Sequence, residues 1–246
     1  MTRPKPFSMI REFHLADWFT LANAFCGVGA LFSVIVFSDP GLGHAASRVL
    51  GGVAFSLGLI LVVVAGAELF TGNNLLAMAW AQGAVTTRDV LRNWAIVCSA
   101  NFAGAAGLAL LVYLSGHADA YAGTYLDIAA AKSALPFWSA FFRGVLCNVL
   151  VCMAVWMTLA GRSVTDKAVA VLFPVSAFVA AGFEHSIANM YLFPVATLLQ
   201  LAQSAPLEVS WLWTNLVPVI AGNLVGGSVL VALVYYVIYR RPAARR

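Results

Sequence analysis

Three ionisable side chains, Glu68, Glu184 and His185, lie deep inside long apolar stretches of the 246-residue chain, away from the ends of those stretches. A charge at the centre of a bilayer costs at least about 2.5 to 3.5 kcal/mol on insertion scales, so such residues face a cavity or one another and mark function. For the two carboxylates a structural role is the alternative, because each sits where a helix would break and freed backbone N–H groups need acceptors. His185 stands apart, since its counterpart in the first half of the chain is Leu69. A midplane imidazole can offer a small monovalent anion a hydrogen-bond donor, and near physiological pH it can take up or release a proton. Thr71 supplies a hydroxyl in the first break, with two readings open: it turns towards His185, or it bonds back onto its own helix.

Composition says what must position these residues. The chain is 62% hydrophobic and 10% charged, with mean hydropathy +0.88, whereas soluble domains carry about a quarter charged residues. That pattern excludes a secreted disulfide scaffold, a disordered chain and a nucleic-acid binder, because 14 Lys+Arg against 10 Asp+Glu leave only +4 over the whole length. Cys26, Cys98, Cys147 and Cys152 all lie in apolar runs without metal-site spacing and read as small core hydrophobes. A hydrocarbon core about 30 Å thick needs about 20 apolar residues. Six runs qualify, roughly Trp18 to Phe37, Leu50 to Ala79, Trp94 to Leu114, Phe137 to Ala160, Ala168 to Leu199 and Trp211 to Tyr239. The second and fifth are too long for one span, and each is interrupted by a charged, glycine-bearing stretch: GAELFTGNN at 66 to 74, with Gly66 and Gly72, and GFEHSIANM at 182 to 190, with Gly182.

Six spans put both termini on one side. Arg3, Lys5, Arg11, Arg88, Arg92, Arg162, Lys167, Arg240, Arg241, Arg245 and Arg246 fall on that side, and only Arg48, Lys132 and Arg143 on the other, so the termini are expected in the cytoplasm. The first run is longer than a signal-peptide core and reads as a retained helix. The pattern AG-x-E-x-x-x-x-N occurs at Ala65, Gly66, Glu68, Asn73 and again at Ala181, Gly182, Glu184, Asn189, and each copy is followed by two asparagines eight apart, Asn93 and Asn101, then Asn215 and Asn223. Each half, approximately 13–115 and 133–240 of a single transmembrane domain over 1–246, then holds three spans, and an odd number inverts the second half. Inverted repeats with broken helices in matching positions point to a permeation site near the bilayer midplane.

Phe55, Leu59, Leu69, Phe70 and Phe178 lie near the breaks, where apolar rings can close a narrow pore by dewetting or simply pack. Lys132, Arg143 and Lys167 lie near span ends. They either snorkel or form an electropositive vestibule that gathers anions. Asn148, Asn101 and Asn223 read as cross-links between helices.

The segments GGVAFSLGLILVVVAGAELFTGNNL, LCNVLVCMAVWM, GRSVTDKA, GFEHSIANMY and IAGNLVGG, in this order over about residues 41 to 241, resemble the formate/nitrite transporter family. The resemblance implies an all-α membrane protein of six transmembrane helices as two inverted three-helix repeats. The fold would be aquaporin-like, with broken second and fifth helices, assembled as a homopentamer with one pore per subunit. Members conduct formate, nitrite, hydrosulfide or lactate, often with proton coupling at low pH. Carried onto this sequence, the central histidine is His185 with Thr71 as its partner. The constriction falls on Phe55, Leu59, Leu69 and Phe178, and the helix-linking asparagines are Asn148 and Asn223.

Residues 1–40 fit that pattern less closely. FTLANAFCGVGALF also looks like the opening of CDP-alcohol phosphatidyltransferases, but their metal motif begins with Asp-Gly, a pair found nowhere in the chain. The expectation is therefore a pH-responsive channel in a bacterial inner membrane for small monovalent anions, formate and nitrite. It needs no cofactor, metal or nucleic acid and performs no enzymatic step. A neutral-solute channel is the alternative within transport.

Overall fold

In lipid a backbone can satisfy its own N–H and C=O groups only as helix or closed barrel, and the runs above lack the alternation a barrel needs. The computed structural model describes residues 22–207 and 209–239, and among them all regular structure is helical. The elements are α1 (Ala22–Phe37), α2 (His44–Ala65), a 3₁₀ turn at Gly72–Leu75, α3 (Leu76–Ala81), α4 (Thr87–Leu114), a 3₁₀ turn at His117–Tyr121, α5 (Ala122–Ser133), α6 (Phe137–Thr158), α7 (Val164–Ala180), α8 (Ser186–Ala202) and α9 (Leu212–Tyr239). Within α9 the stretches Leu212–Leu216 and Val225–Leu233 are π-helical. Four helices, α2, α4, α6 and α9, are long and apolar enough to cross a membrane, and the chain is an integral membrane protein. Arg3, Lys5, Arg11, Arg240, Arg241, Arg245 and Arg246 of the orientation count, and residues 13 to 21 of the first half, lie outside the described residues.

Local sequence sets the helix ends. Thr86 opens α4 and Ser163 opens α7, each accepting from the backbone N–H three residues on while Asp89 or Asp166 bonds back, the reciprocal capping box. Asp166 accepts first from the Arg162 N–H, then from Ser163, which holds its carboxyl below the usual carboxylate range. At the other end α2 stops at Gly66, with φ 70°, in the left-handed region that glycine enters without penalty. The chain then runs irregularly to residue 71, whereas the second irregular stretch, 181 to 185, is shorter than the sequence implies because α8 already begins at Ser186.

Small residues let the helices approach closely, as expected where lipid is as apolar as leucine and packing must hold helices together. At the α1–α2 crossing a side chain on Gly29 would stand 2.5 Å from the Phe55 carbonyl, and one on Gly58 2.6 Å from that of Phe25. Gly52 packs on Ser176 where α2 crosses α7, and Gly144 packs on Val219 where α6 crosses α9. The inner ends of the two irregular stretches, Leu69 to Thr71 and Glu184 to His185, are buried among these helices.

Candidate functional site

His185 occupies the N-cap of α8, with extended backbone (φ −110°, ψ 113°), and its Nδ1 accepts the Ala188 N–H at 3.2 Å. A ring nitrogen that accepts a backbone proton carries none of its own, so the remaining proton of the neutral ring is on Nε2. That nitrogen lies 3.1 Å from Thr71 Oγ1 and donates to it. Thr71 is fully buried and its carbonyl accepts from Asn148 Nδ2 at 3.2 Å and from Cys152 Sγ at 3.3 Å. Residues 114 positions apart are thus joined side chain to side chain. The Phe178 ring stacks on the imidazole at 5.7 Å between centroids, and Phe55 meets both edge-on, at 6.0 Å from His185 and 5.6 Å from Phe178. His185 is thereby held between a hydroxyl and two aromatic walls.

Around it the polar groups of the two breaks are bonded one for one. In the second, Asn189 Nδ2 donates to Glu184 Oε2 (2.8 Å) and to Asn215 Oδ1 (2.7 Å), the Ser186 N–H donates to Asn223 Oδ1 (3.0 Å), and Asn223 Nδ2 donates to the Glu184 carbonyl (3.1 Å). In the first, Asn73 Nδ2 donates to Glu68 Oε2 and to Asn93 Oδ1 (2.9 Å), the Phe70 N–H donates to Asn101 Oδ1 (2.9 Å), and Asn101 Nδ2 donates to the Glu68 carbonyl (3.3 Å). The carboxylates thus bond side chains rather than the freed backbone N–H groups expected from the sequence, and the groups that the interrupted helices leave open are met by Asn101 and Asn223. Asn223 also donates to the Gly144 carbonyl, and Asn148 Nδ2 donates to the Asn223 carbonyl at 2.7 Å, tying α6 to α9. Among the described residues only Glu184 has a cation, Lys132 Nζ at 2.8 Å, supplied by α5. That helix is fixed by the Asn215 amide on the Lys132 carbonyl (3.0 Å) and by a buried Tyr125–Tyr191 hydroxyl pair at 2.7 Å.

A cavity of about 210 Å³ opens above the imidazole. Of the residues singled out in the sequence, Phe55, Lys132, Arg143, Phe178, Gly182, Glu184 and His185 line it. Leu59, Leu69, Thr71, Asn148 and Asn223 are buried behind this lining rather than part of it, and Gly66, Glu68 and Gly72 belong to the other break. Lys167 does not join the vestibule of Lys132 and Arg143. It sits in the first turns of α7, about 20 Å along that helix from its Ala180 end. Sequence reasoning missed Arg48 and Phe37, which also line the cavity. The available signal was the orientation count: the three basic residues assigned to the non-terminal side, Arg48, Lys132 and Arg143, all meet here.

Apolar membrane helices interrupted at hydrogen-bonded polar residues beside a cationic cavity define a membrane transport protein. Residues 19–237 match the model of the formate/nitrite transporter family, and the chain belongs to that family. It is 38% identical to the formate channel FocA of Escherichia coli strain K12, over 94% of this chain and 87% of that protein. To formate channel FocB of the same strain it is likewise 38% identical, over 89% of this chain and 85% of that protein. A solved pentameric formate channel with formate bound superposes with TM-score 0.81 at 34% identity, covering 92% of this chain and 98% of that one.

Proposed function

We propose that the chain is a pH-responsive channel for small monovalent anions, formate first and nitrite second, in which His185 exchanges a proton with the passing anion or stabilises it. The observation that carries this reading is the neutral imidazole with its Nε2–H on Thr71 and its Nδ1 on the Ala188 N–H, held between Phe55 and Phe178 at the base of the cavity. An anion that reaches the imidazole must compete with Thr71 for Nε2–H, the one donor of the neutral ring. A proton arriving at the ring must displace the Ala188 N–H from Nδ1 and place a positive charge at the positive end of α8. Handing that proton to the anion restores the cap and leaves a neutral acid, which crosses an apolar constriction more readily than an ion. Leu59 and Leu69 continue that constriction past the imidazole, and Asn148 and Asn223 hold its walls together.

The architecture we infer is six spans in two inverted three-helix halves, approximately 13–115 and 133–240, aquaporin-like, with α2–α3 and α7–α8 as the broken second and fifth spans. It is supported by the bonds that repeat with a constant spacing of 116 residues within the breaks and 122 at the outer asparagines. It is also supported by Gly66 and Gly182, which end α2 and α7 at φ 70° and 72°. The protein would sit in a bacterial inner membrane with both termini cytoplasmic, as a homopentamer with one pore per subunit.

Formate and nitrite uptake into proteoliposomes at two pH values tests this. His185→Phe is expected to abolish the pH dependence of flux or its anion selectivity. Unchanged flux of both anions with the same pH profile sinks the role given to His185, and faster swelling in glycerol than in formate would make the chain a neutral-solute channel instead.

A further inference from the structure

The rim of the cavity carries two guanidinium groups whose charge nothing in the described chain balances. Arg48, in the first turns of α2, donates from Nε to the Ala180 carbonyl at 3.3 Å, and its guanidinium carbon lies 5.7 Å from the centroid of the Phe37 ring. Its Nη2 fills the space that a side chain at residue 182 would need, since a Cβ there would stand 2.6 Å away. Arg143, from α6, reaches the same residue, with Nη1 3.5 Å from the Gly182 carbonyl. A guanidinium has five N–H donors, and bonds within the described residues occupy one on each arginine. The third cation of the rim, Lys132, is already neutralised by Glu184.

The helix end does not need these cations. Gly66 closes α2 in the same left-handed conformation as Gly182, and the same backbone bond follows, Ala67 N–H to Val62 in one case and Phe183 N–H to Phe178 in the other. Yet nothing lies within 4 Å of the position a side chain on Gly66 would take. The two arginines are thus an addition to a turn that forms without them, placed on the wall of a cavity that reaches His185.

We propose that Arg48 and Arg143 form an outer anion site, separate from His185, that holds a planar two-oxygen monoanion such as formate or nitrite in a fork of guanidinium N–H groups. This deepens the channel reading above and rests on it. The fork matches two oxygens on one centre, which a spherical ion cannot exploit. The Phe37 face and the Ala180 carbonyl hold the Arg48 head in place, so little side-chain freedom is lost on binding. An anion in the fork sheds part of its water before it meets the imidazole, and a second arrival repels the first inward, the arrangement that lets a binding site also conduct. Flux should then saturate at a concentration set by this site.

Initial formate uptake into proteoliposomes is measured against formate concentration for wild type, Arg48→Gln, Arg143→Gln and the two Lys variants, with formate binding to the purified protein followed by calorimetry. The Gln variants are expected to raise the half-saturating concentration roughly tenfold, the ratio for one lost charge-assisted bond. The Lys variants keep the charge but lose the fork, and should raise it severalfold for formate and nitrite while leaving chloride competition unchanged. Wild-type behaviour of the Lys variants would reduce the site to a general positive field, and wild-type behaviour of all four, or a fall in thermal stability alone, would overturn it. If wild type binds formate through these arginines but conducts none, the channel reading fails and the site stands. Conduction without any change in the variants has the opposite meaning.

Discussion

The two breaks share a skeleton and differ in what is hung on it. Each has a left-handed glycine, a carboxylate five residues before an asparagine that bonds to it, and two asparagines from a later helix that close the remaining N–H and C=O groups. The first has Leu69 where the second has His185, and among the described residues Glu68 has no cation where Glu184 has Lys132. Shared parts are those that keep an interrupted backbone satisfied inside a membrane, and the unshared parts all face the cavity. An interruption needs acceptors and donors for its loose ends, and among the described residues only the second adds an ionisable ring and a paired cation.

That division is open to test by paired substitutions, compared as thermal stability of purified protein in one detergent. Glu184→Ala strands the Lys132 ammonium and removes one acceptor each from the Asn189 and Asn215 amides, and should cost about 3 to 5 kcal/mol. Glu68→Ala strands no cation and should cost about 1 to 3 kcal/mol, so equal losses would mean that the breaks are energetically alike. Asn223→Ala removes bonds to Ser186, Gly144 and Glu184, whereas Asn101→Ala removes those to Phe70 and Glu68. At about 1 kcal/mol per bond, Asn223 should be the costlier by about one bond, and the reverse order would assign the burden to the first break. Gly66→Ala should cost about 1 to 2 kcal/mol for its left-handed backbone. Gly182→Ala should cost more and also shift formate saturation, because its methyl group meets Arg48.

The smallest effect concerns the boxes that open α4 and α7. Ser163→Ala should lower stability by about 1 kcal/mol, and Thr86→Ala by a similar amount. The folded Asp166 carboxyl titrates below its unfolded value. Its contribution is therefore complete above the usual carboxylate range and is lost as pH falls through the lower folded value. Hydrogen exchange in the first turn of α7 should quicken in that acid window, and an unchanged rate would remove the cap from the comparison.

Much of this site was legible because its parts are polar residues in apolar surroundings. The paired Glu68/Asn73 and Glu184/Asn189 spacings mark the breaks, and Leu69 against His185 marks the asymmetry, since neither pattern follows from hydrophobic bias. Partners were not legible where they come from distant helices: spacing cannot show that Asn93 serves Asn73 or that Tyr125 meets Tyr191. Helix α5 was hidden because it is short and half-exposed, with no span-length signal. Arg48 was hidden by its place at a span end, where a basic residue ordinarily reports orientation alone. The second break was read too long because SIANM is polar enough to resemble a loop, yet it is the first turn of a helix capped by His185.

That cap has a bearing on the energy economy of the cell. An imidazole whose Nδ1 is committed to a backbone N–H and whose Nε2–H is committed to Thr71 has no spare donor, so on the channel reading proposed above a bare ion between Phe55 and Phe178 finds no partner until a proton is supplied. On that reading a membrane carrying many copies would hold its voltage while idle, and each passage would be tied to a transient loosening of one helix turn rather than to a standing leak.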